Sequence, residues 1–175
     1  MSPVRDALVA AAGAVVAVLL EVVLAPAITL FGAQPNFLLA YALGLSVARP
    51  EHSGAALPFV LGLLYDMLGT GPVGGMALLL VAVCALSSRV FLYLDNSSPL
   101  APIAFLVLGS LAVEALYGAL LLALGLPAGV GEAFVYRVLP CTLYDSAVAL
   151  LVYPLLARLF APPTRTGEPG SVKLR

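Results

Sequence analysis

The fold is decided by the stretch ALVAAAGAVVAVLLEVVL at residues 7–24. It is apolar apart from Glu21, and its length approaches the about 20 residues that a helix needs to cross a bilayer. Ala25-Pro26-Ala27 follows it and resembles a signal-peptide cleavage site, but the stretch exceeds the typical signal-peptide core of about 7–15 residues. We therefore interpret residues 7–24 as the first of several membrane spans.

The whole chain has the composition of an integral membrane protein. Of its 175 residues, 62% are hydrophobic and only 10% are charged, and the mean hydropathy is +1.11. An average soluble domain is about 25% charged. A soluble globule of this size cannot hide so much apolar surface beneath a charged exterior. The composition excludes soluble enzymes and disordered chains, and a net charge of -1 leaves no basic surface for nucleic acid.

Proline, glycine and polar clusters divide the rest of the chain into five further spans. The sequence predicts an all-α membrane protein with six transmembrane helices at about residues 7–24, 36–48, 54–68, 75–93, 100–124 and 134–160. The second and third are shorter than the ~30 Å hydrocarbon core requires, so we expect an irregular compact bundle. Residues 1–161 are predicted to form one membrane domain, and residues 162–175 a disordered cytoplasmic tail.

The basic residues predict the orientation of the bundle. In a six-span arrangement seven of the eight basic residues fall on one side: Arg5, Arg49, Arg89, Arg158, Arg165, Lys173 and Arg175. The connections on the other side carry none. Because basic residues favour the cytoplasmic side, both termini are predicted to be cytoplasmic.

Asp66 stands beside a turn rich in glycine. It lies four residues after Gly62, on the same helix face, and the turn contains Gly69, Gly71 and Gly74. Gly62 would allow a neighbouring helix to approach closely, and the backbone N–H groups of the turn would donate to the Asp66 carboxylate. Two interpretations stay open: a ligand or proton pocket, or a carboxylate that pins the turn to the bundle.

Further charged residues are predicted inside the spans, where each is costly and needs a partner. The predicted polar network comprises Asp66, Glu114, Arg137 and Asp145, with Glu21 as another carboxyl in the first span. Arg137 lies two helical turns before Asp145, about 12 Å along the axis, so a direct pair requires bridging groups. We favour an internal ion-pair or hydrogen-bond network over a transport relay.

The repeated Leu-Tyr-Asp at residues 64–66 and 143–145 raises a catalytic alternative. Intramembrane aspartyl proteases use two aspartates on two spans, one of them in a Tyr-Asp pair. The Gly-x-Gly motif that precedes the second aspartate of that family is absent from this sequence. A single histidine and two isolated cysteines offer no metal site, so no cofactor is predicted.

Small residues recur at four-residue spacing on the second span. Ala40, Gly44 and Ala48 form one stripe, and Gly13 and Ala17 form another on the first span. Such stripes are close-packing faces for helices, either within the chain or against a partner.

The region from residue 35 to residue 78 resembles the rod shape-determining protein MreD family. Pro35-Asn36-Phe37-Leu38-Leu39 opens a short span, and Gly62-Leu63-Leu64-Tyr65-Asp66 precedes a glycine turn that ends in Met76-Ala77-Leu78. The family shows Pro-Asp with aliphatic residues, then Gly-Leu-x-x-Asp and a glycine turn. Asn36 departs from the usual aspartate but keeps an acceptor that can cap a helix.

The resemblance implies a non-enzymatic scaffold in the bacterial inner membrane. It implies a partner similar to MreC, a bitopic membrane protein, and association with the MreB filament and peptidoglycan synthases of the cell-elongation machinery. It also implies a six-helix arrangement similar to the S-components of vitamin transporters. The alternative is a membrane subunit of S-component type that binds a substrate or a lipid near Asp66.

Overall fold

The computed structural model describes residues 3–29, 33–52, 54–69, 71–93, 100–125 and 138–160. Within these residues the chain forms six α-helices and a short 3-10 helix at Pro50–His52. The α-helices are α1 (Pro3–Ala27), α2 (Phe37–Ala48), α3 (Ala56–Leu68), α4 (Gly75–Tyr93), α5 (Leu100–Ala123) and α6 (Leu139–Leu159). The all-α prediction is confirmed for this part of the chain. The predicted start of the last span near Phe134, and the predicted tail, lie outside the described residues.

Four of the six helices are long and apolar enough to cross a membrane: Val4–Ala27 within α1, and the whole of α4, α5 and α6. The helices α2 and α3 have 12 and 13 residues. At 1.5 Å per residue they extend only about 18 and 20 Å, well short of the ~30 Å hydrocarbon core. The predicted shortness of these two helices is confirmed.

Local sequence explains where the short helices begin. Pro35 cannot enter a helix interior, and Asn36 has the extended backbone of a cap, with φ -101° and ψ 90°. The helix α3 begins at Ala56, two residues later than predicted. Pro58 then lies in the first turn of α3, where backbone N–H groups have no acceptor within the helix. The N–H group that proline lacks therefore costs no helical hydrogen bond.

The short helix α2 forms the centre of the bundle. It packs against each of the other five helices, and ten of its 12 residues are buried. Its start lies near the end of α1 and its end near the start of α1, through contacts of Phe37 with Glu21 and of Arg49 with Asp6. The helices α1 and α2 are therefore antiparallel. The end of α3 meets the start of α4, the segment before α4 meets the second half of α5, and the start of α6 lies near that of α2. So α1, α3 and α5 run opposite to α2, α4 and α6.

The helix α1 lies at the edge of the bundle and packs mainly on α2. The hydroxyl of Tyr41 donates to the carbonyl of Ala10 at 2.7 Å. A Cβ on Gly13 would lie 2.5 Å from that hydroxyl oxygen, so the absence of a side chain at Gly13 leaves room for the Tyr41 ring. The opposite face of α1 is exposed and carries Val4, Leu8, Val15, Leu19 and Val23.

The backbones of α3 and α4 approach closely at Gly62. A Cβ on Gly62 would lie 2.7 Å from the backbone nitrogen of Ala77 and 2.9 Å from the carbonyl carbon of Met76. Both atoms belong to the backbone of α4 and cannot rotate away. The absence of a side chain at Gly62 therefore lets α4 approach α3 closely, as the sequence predicted.

We expect Gly62→Ala to destabilise the protein, because the added methyl group would force α3 away from α4. Overpacking of this kind costs about 1–3 kcal/mol, which lowers the melting temperature of a chain of this size by roughly 2–12 °C. Thermal unfolding of the purified protein in detergent measures the shift. Gly54→Ala is the control, because a Cβ there has no neighbour within 4 Å. Equal melting temperatures for the two variants would contradict the prediction.

Candidate functional site

The N-terminus of α2 is capped by its own side chain. The Oδ1 atom of Asn36 accepts the backbone N–H of Leu39 at 2.8 Å. Asn36 is only 1% exposed, so water does not substitute for this bond. The helix cap predicted at Asn36 is confirmed, and asparagine performs it where the MreD-like pattern has an aspartate.

Carboxylates from two other helices accept the neighbouring N–H groups. The backbone N–H of Asn36 donates to Oδ1 of Asp145 on α6, and that of Phe37 donates to Oε2 of Glu21 on α1, both at 2.7 Å. A helix N-terminus carries partial positive charge, which favours a carboxylate at this place. Three helices are thereby joined at one point.

A third carboxyl, from Glu114 on α5, completes what we name the acidic cluster: Glu21, Glu114 and Asp145. Glu114 is 4% exposed and Asp145 is 0% exposed, and the two carboxyl groups are neighbours inside the bundle. The rings of Tyr65 and Tyr117 stack edge to face close by, with centroids 6.2 Å apart. In the described residues no group of three His, Cys, Asp or Glu side chains is arranged to hold a metal ion.

The acidic cluster lies below the ends of the long helices. Glu21 is six residues before the end of α1, and Asp145 is six residues after the start of α6. Six residues correspond to about 9 Å along a helix axis. The cluster and the N-terminus of α2 are therefore inside the bundle, where non-helical backbone needs protein partners.

Asp66 caps the N-terminus of α4. Its Oδ2 atom accepts the N–H groups of Gly74 at 2.8 Å and Ala77 at 3.3 Å, and both carboxylate oxygens lie 3.1 Å from the nitrogen of Met76. Of the N–H groups of the glycine turn that were expected to donate, that of Gly74 does. The carboxylate is 2% exposed, so this geometry supports the pinning interpretation over the pocket.

The glycines of the turn have different roles. Gly74 has φ +96°, a left-handed conformation that side chains rarely adopt. A Cβ on Gly71 would collide with the hydroxyl of Tyr117, so the turn rests directly on α5. A Cβ on Gly69 would make only ordinary contacts. Together with Asp66, these contacts fix the turn between α3, α4 and α5.

The other predicted residues fall in separate places. Arg137 lies outside the described residues. Ala40 is fully buried, Ala48 is half-buried, and Gly44 faces α6, where a Cβ would lie 3.4 Å from Leu156. The small-residue stripe of α2 is thus occupied within the chain.

The two Leu-Tyr-Asp repeats do not form a pair of facing aspartates. Asp66 bonds to the N-terminus of α4, whereas Asp145 bonds to that of α2. Each carboxylate has a structural partner of its own, so the geometry lends the protease alternative no support.

Sequence reasoning missed a polar contact at the opposite end of the bundle. Arg49, just after α2, pairs with Asp6 of α1 at 2.8 Å, and its guanidinium lies 5.1 Å from the ring centroid of Phe160. The sequence offered only one weak signal for this pair. Asp6 stands at the start of the first predicted span and Arg49 at the end of the second, and alternating spans bring these two ends to the same side.

The family of this chain follows from a comparison with known sequence families. The family model of rod shape-determining protein MreD matches residues 6–161. The chain belongs to the MreD family. The match covers all six described α-helices except the first three residues of α1, so the predicted resemblance, drawn from residues 35–78, extends over nearly the whole chain. No curated protein sequence and no solved structure matches this MreD-family protein. The family and the four long apolar helices identify it as a multi-pass membrane protein of the rod-shape machinery.

We expect Asp66→Asn to loosen the start of α4. The variant removes the charge from the acceptor of three backbone N–H groups, and hydrogen bonds to charged groups contribute about 1.5–3 kcal/mol. A loss of about 2 kcal/mol corresponds to roughly 30-fold faster hydrogen exchange of the Met76 and Ala77 amides. Exchange measured by mass spectrometry tests this. The control Glu51→Gln changes an exposed carboxylate and should leave these amides unaffected. Unchanged exchange in Asp66→Asn would count against the capping role.

Proposed function

We propose that this protein is a non-enzymatic scaffold subunit of the bacterial cell-elongation machinery and binds an MreC-like bitopic membrane protein. The observation that carries the proposal is the family match over residues 6–161. In the proposed assembly the scaffold works beside an MreB-type filament and the peptidoglycan synthases. The buried polar groups support a structural role, because the carboxylates of Glu21, Asp66 and Asp145 satisfy backbone N–H groups of the protein itself.

The proposal includes the bacterial inner membrane as the location, with all six helices crossing and both termini in the cytoplasm. Arg5, Arg49, Arg89 and Arg158 lie toward one end of the alternating bundle, which supports this orientation by the positive-inside rule. The central position of α2, enclosed by five helices, allows a 12-residue helix to be accommodated at membrane depth. The S-component-like arrangement and a disordered cytoplasmic tail at residues 162–175 belong to the same proposal.

The test uses cells whose outer membrane has been made permeable while the inner membrane stays sealed. In such cells we expect a single cysteine at either terminus not to react with a membrane-impermeant thiol reagent. A cysteine in the connection between α5 and α6 should react under the same conditions. Labelling is measured in a variant with Cys84→Ala and Cys141→Ala, and disrupted cells serve as the control for accessibility. Labelling of the termini in intact cells would reverse the proposed orientation.

The outer face of α1 is the surface that we assign to the partner helix. In the stripe at Ala40, Gly44 and Ala48, Gly44 packs against α6 and Ala40 is fully buried, so we do not assign the partner to that stripe. The helix α1 packs mainly on α2, and its exposed residues include Ala11 and Ala12 between Leu8 and Val15. Small residues in such a position allow two helix backbones to approach closely. One membrane helix of a bitopic protein has the size and shape for this face.

We expect Ala11→Phe to reduce recovery of the MreC-like partner about tenfold in a mild-detergent pull-down from the native host. A bulky ring in a tightly packed helix contact costs about 1–3 kcal/mol, and 1.4 kcal/mol is tenfold in affinity. Mass spectrometry quantifies the partner relative to the tagged chain. The matched control is Ala104→Phe, which changes an equally exposed alanine on α5. Equal loss from both variants would overturn the α1 assignment, and absence of the partner from the unmodified protein would overturn the scaffold proposal itself.

The alternative of a substrate- or lipid-binding subunit has weaker support. It required Asp66 and the glycine turn to line a pocket. Asp66 is instead buried and bonded to the start of α4, and Gly71 is packed against Tyr117.

A further inference from the structure

The helix α3 begins about halfway along its neighbour α4. Gly62 of α3 lies against Ala77 of α4, and the two helices are antiparallel. Six residues before Gly62 is Ala56, the first residue of α3, and six residues after Ala77 is Val83. The helix α4 continues for ten more residues, to Tyr93. At 1.5 Å per residue, the start of α3 therefore lies about 15 Å short of the end of α4.

This position corresponds to the middle of a membrane. The helix α4 is one of the four that are long and apolar enough to cross, and the hydrocarbon core is ~30 Å thick. A point about 15 Å from the end of α4 is near the centre of that core. The chain comes to this point from Arg49 at the end of α2, and in the described part of the connection only Pro50–His52 is helical. Backbone that is not α-helical therefore lies at membrane depth beside α4.

The connection before α3 is on the outside of the bundle. Glu51, Gly54 and Ala55 are exposed, and so is Ala56 at the start of the helix. No side chain caps this start, and the first N–H groups of a helix have no acceptor within it. Irregular backbone is not found exposed to lipid tails, because hydrocarbon offers its polar groups no hydrogen bonds. This part of the surface therefore requires a polar surrounding.

The rest of α3 has the opposite character. Beyond its first turn, its outward side chains are apolar and at least half exposed: Phe59, Val60, Met67 and Leu68. They suit lipid tails, but the whole helix is only about 20 Å long. Unlike α2, which five helices enclose, α3 meets the bilayer directly. The bilayer must accommodate its shortness, and thinning beside a short helix is one way in which membranes do so.

We propose that an aqueous recess enters the membrane beside α3, from the end of the bundle at which α2 ends. There the polar boundary of the bilayer is drawn in to the start of α3, near the middle of α4. Water in the recess solvates Glu51 and the exposed backbone at Gly54 and Ala55. The surface of α3 thus fits a locally thinned bilayer. The inference rests on α4 crossing the membrane, and it holds whichever side is cytoplasmic and whether or not the proposed partner binds.

The reaction of single cysteines with a membrane-impermeant thiol reagent measures where water reaches. Gly54→Cys and Ala55→Cys are made in the chain with Cys84→Ala and Cys141→Ala, and the purified variants are reconstituted in dioleoyl-phosphatidylcholine vesicles. The reagent is present on both faces of the vesicles, so the orientation of the protein does not affect the result. The matched control is Ala85→Cys, which changes an exposed alanine on α4. Its level is about 2 Å from that of Ala55, and nearer to the end of the helix.

We expect Gly54→Cys and Ala55→Cys to react roughly 100-fold faster than Ala85→Cys, with each rate taken relative to that of the same variant unfolded. The reactive species is the thiolate, and a charge at the centre of a span is disfavoured by about this factor.

Two outcomes would overturn the recess. If Ala55→Cys reacts as slowly as Ala85→Cys, lipid tails cover the start of α3. If both react fast, the bilayer is thin around the whole bundle and no local recess exists. Gly54→Cys keeps the test decisive if Ala55→Cys fails to fold, because a Cβ at Gly54 has no neighbour within 4 Å. The rates are measured on the purified chain, so failure of the proposed partner or orientation would not change them.

Discussion

The structure depends on the need to satisfy the backbone N–H groups at the start of a short helix inside the bundle. The helix α2 begins about 9 Å below the ends of α1 and α6, at a buried residue, and every unpaired N–H there is costly. The acceptors are the side chain of Asn36 and the carboxylates of Asp145 and Glu21. Because these carboxylates belong to α6 and α1, capping one helix also sets the positions of two others.

The same solution occurs a second time in the described chain. Asp66 at the end of α3 caps the start of α4, and the lack of a side chain at Gly62 lets the two backbones approach closely enough for it. Charges at membrane depth usually indicate transport or catalysis. Here the favourable interaction of carboxylates with helix N-termini offsets the cost of burying them. Carboxylates bonded to two helix N-termini thus hold several helices together at this end of the bundle.

Local features of the fold were predictable from the sequence, whereas contacts between distant residues were not. Helix ends follow from Pro35, the glycine turn and the polar connections, and the cap at Asn36 follows from residue type alone. The acceptor for the N–H of Asn36 lies 109 residues away on α6, and Arg49 pairs with Asp6 across 43 residues. No pattern of sequence spacing predicts these two contacts, because they form only when α2 packs against α1 and α6. Glu21 was recognised as a charge at membrane depth. Its partner is the backbone N–H of Phe37, and every residue except proline has such a group, so residue type could not indicate it.

The attachment of α1 has a consequence for how a partner would act on the bundle. The described contacts of α1 with α2 lie at three levels: Asp6 with Arg49, Ala10 and Gly13 with Tyr41, and Glu21 with Phe37. All three meet α2 or the residue just after it, and α2 packs against every other described helix. A displacement of α1 therefore reaches the rest of the bundle through α2. At one end of the bundle, the stacking of Arg49 on Phe160 transmits the displacement to the end of α6. At the opposite end, Glu21 and Asp145 both bond to the start of α2. A peripheral helix attached to a central one in this way connects a lipid-facing surface to the whole core without any large loop.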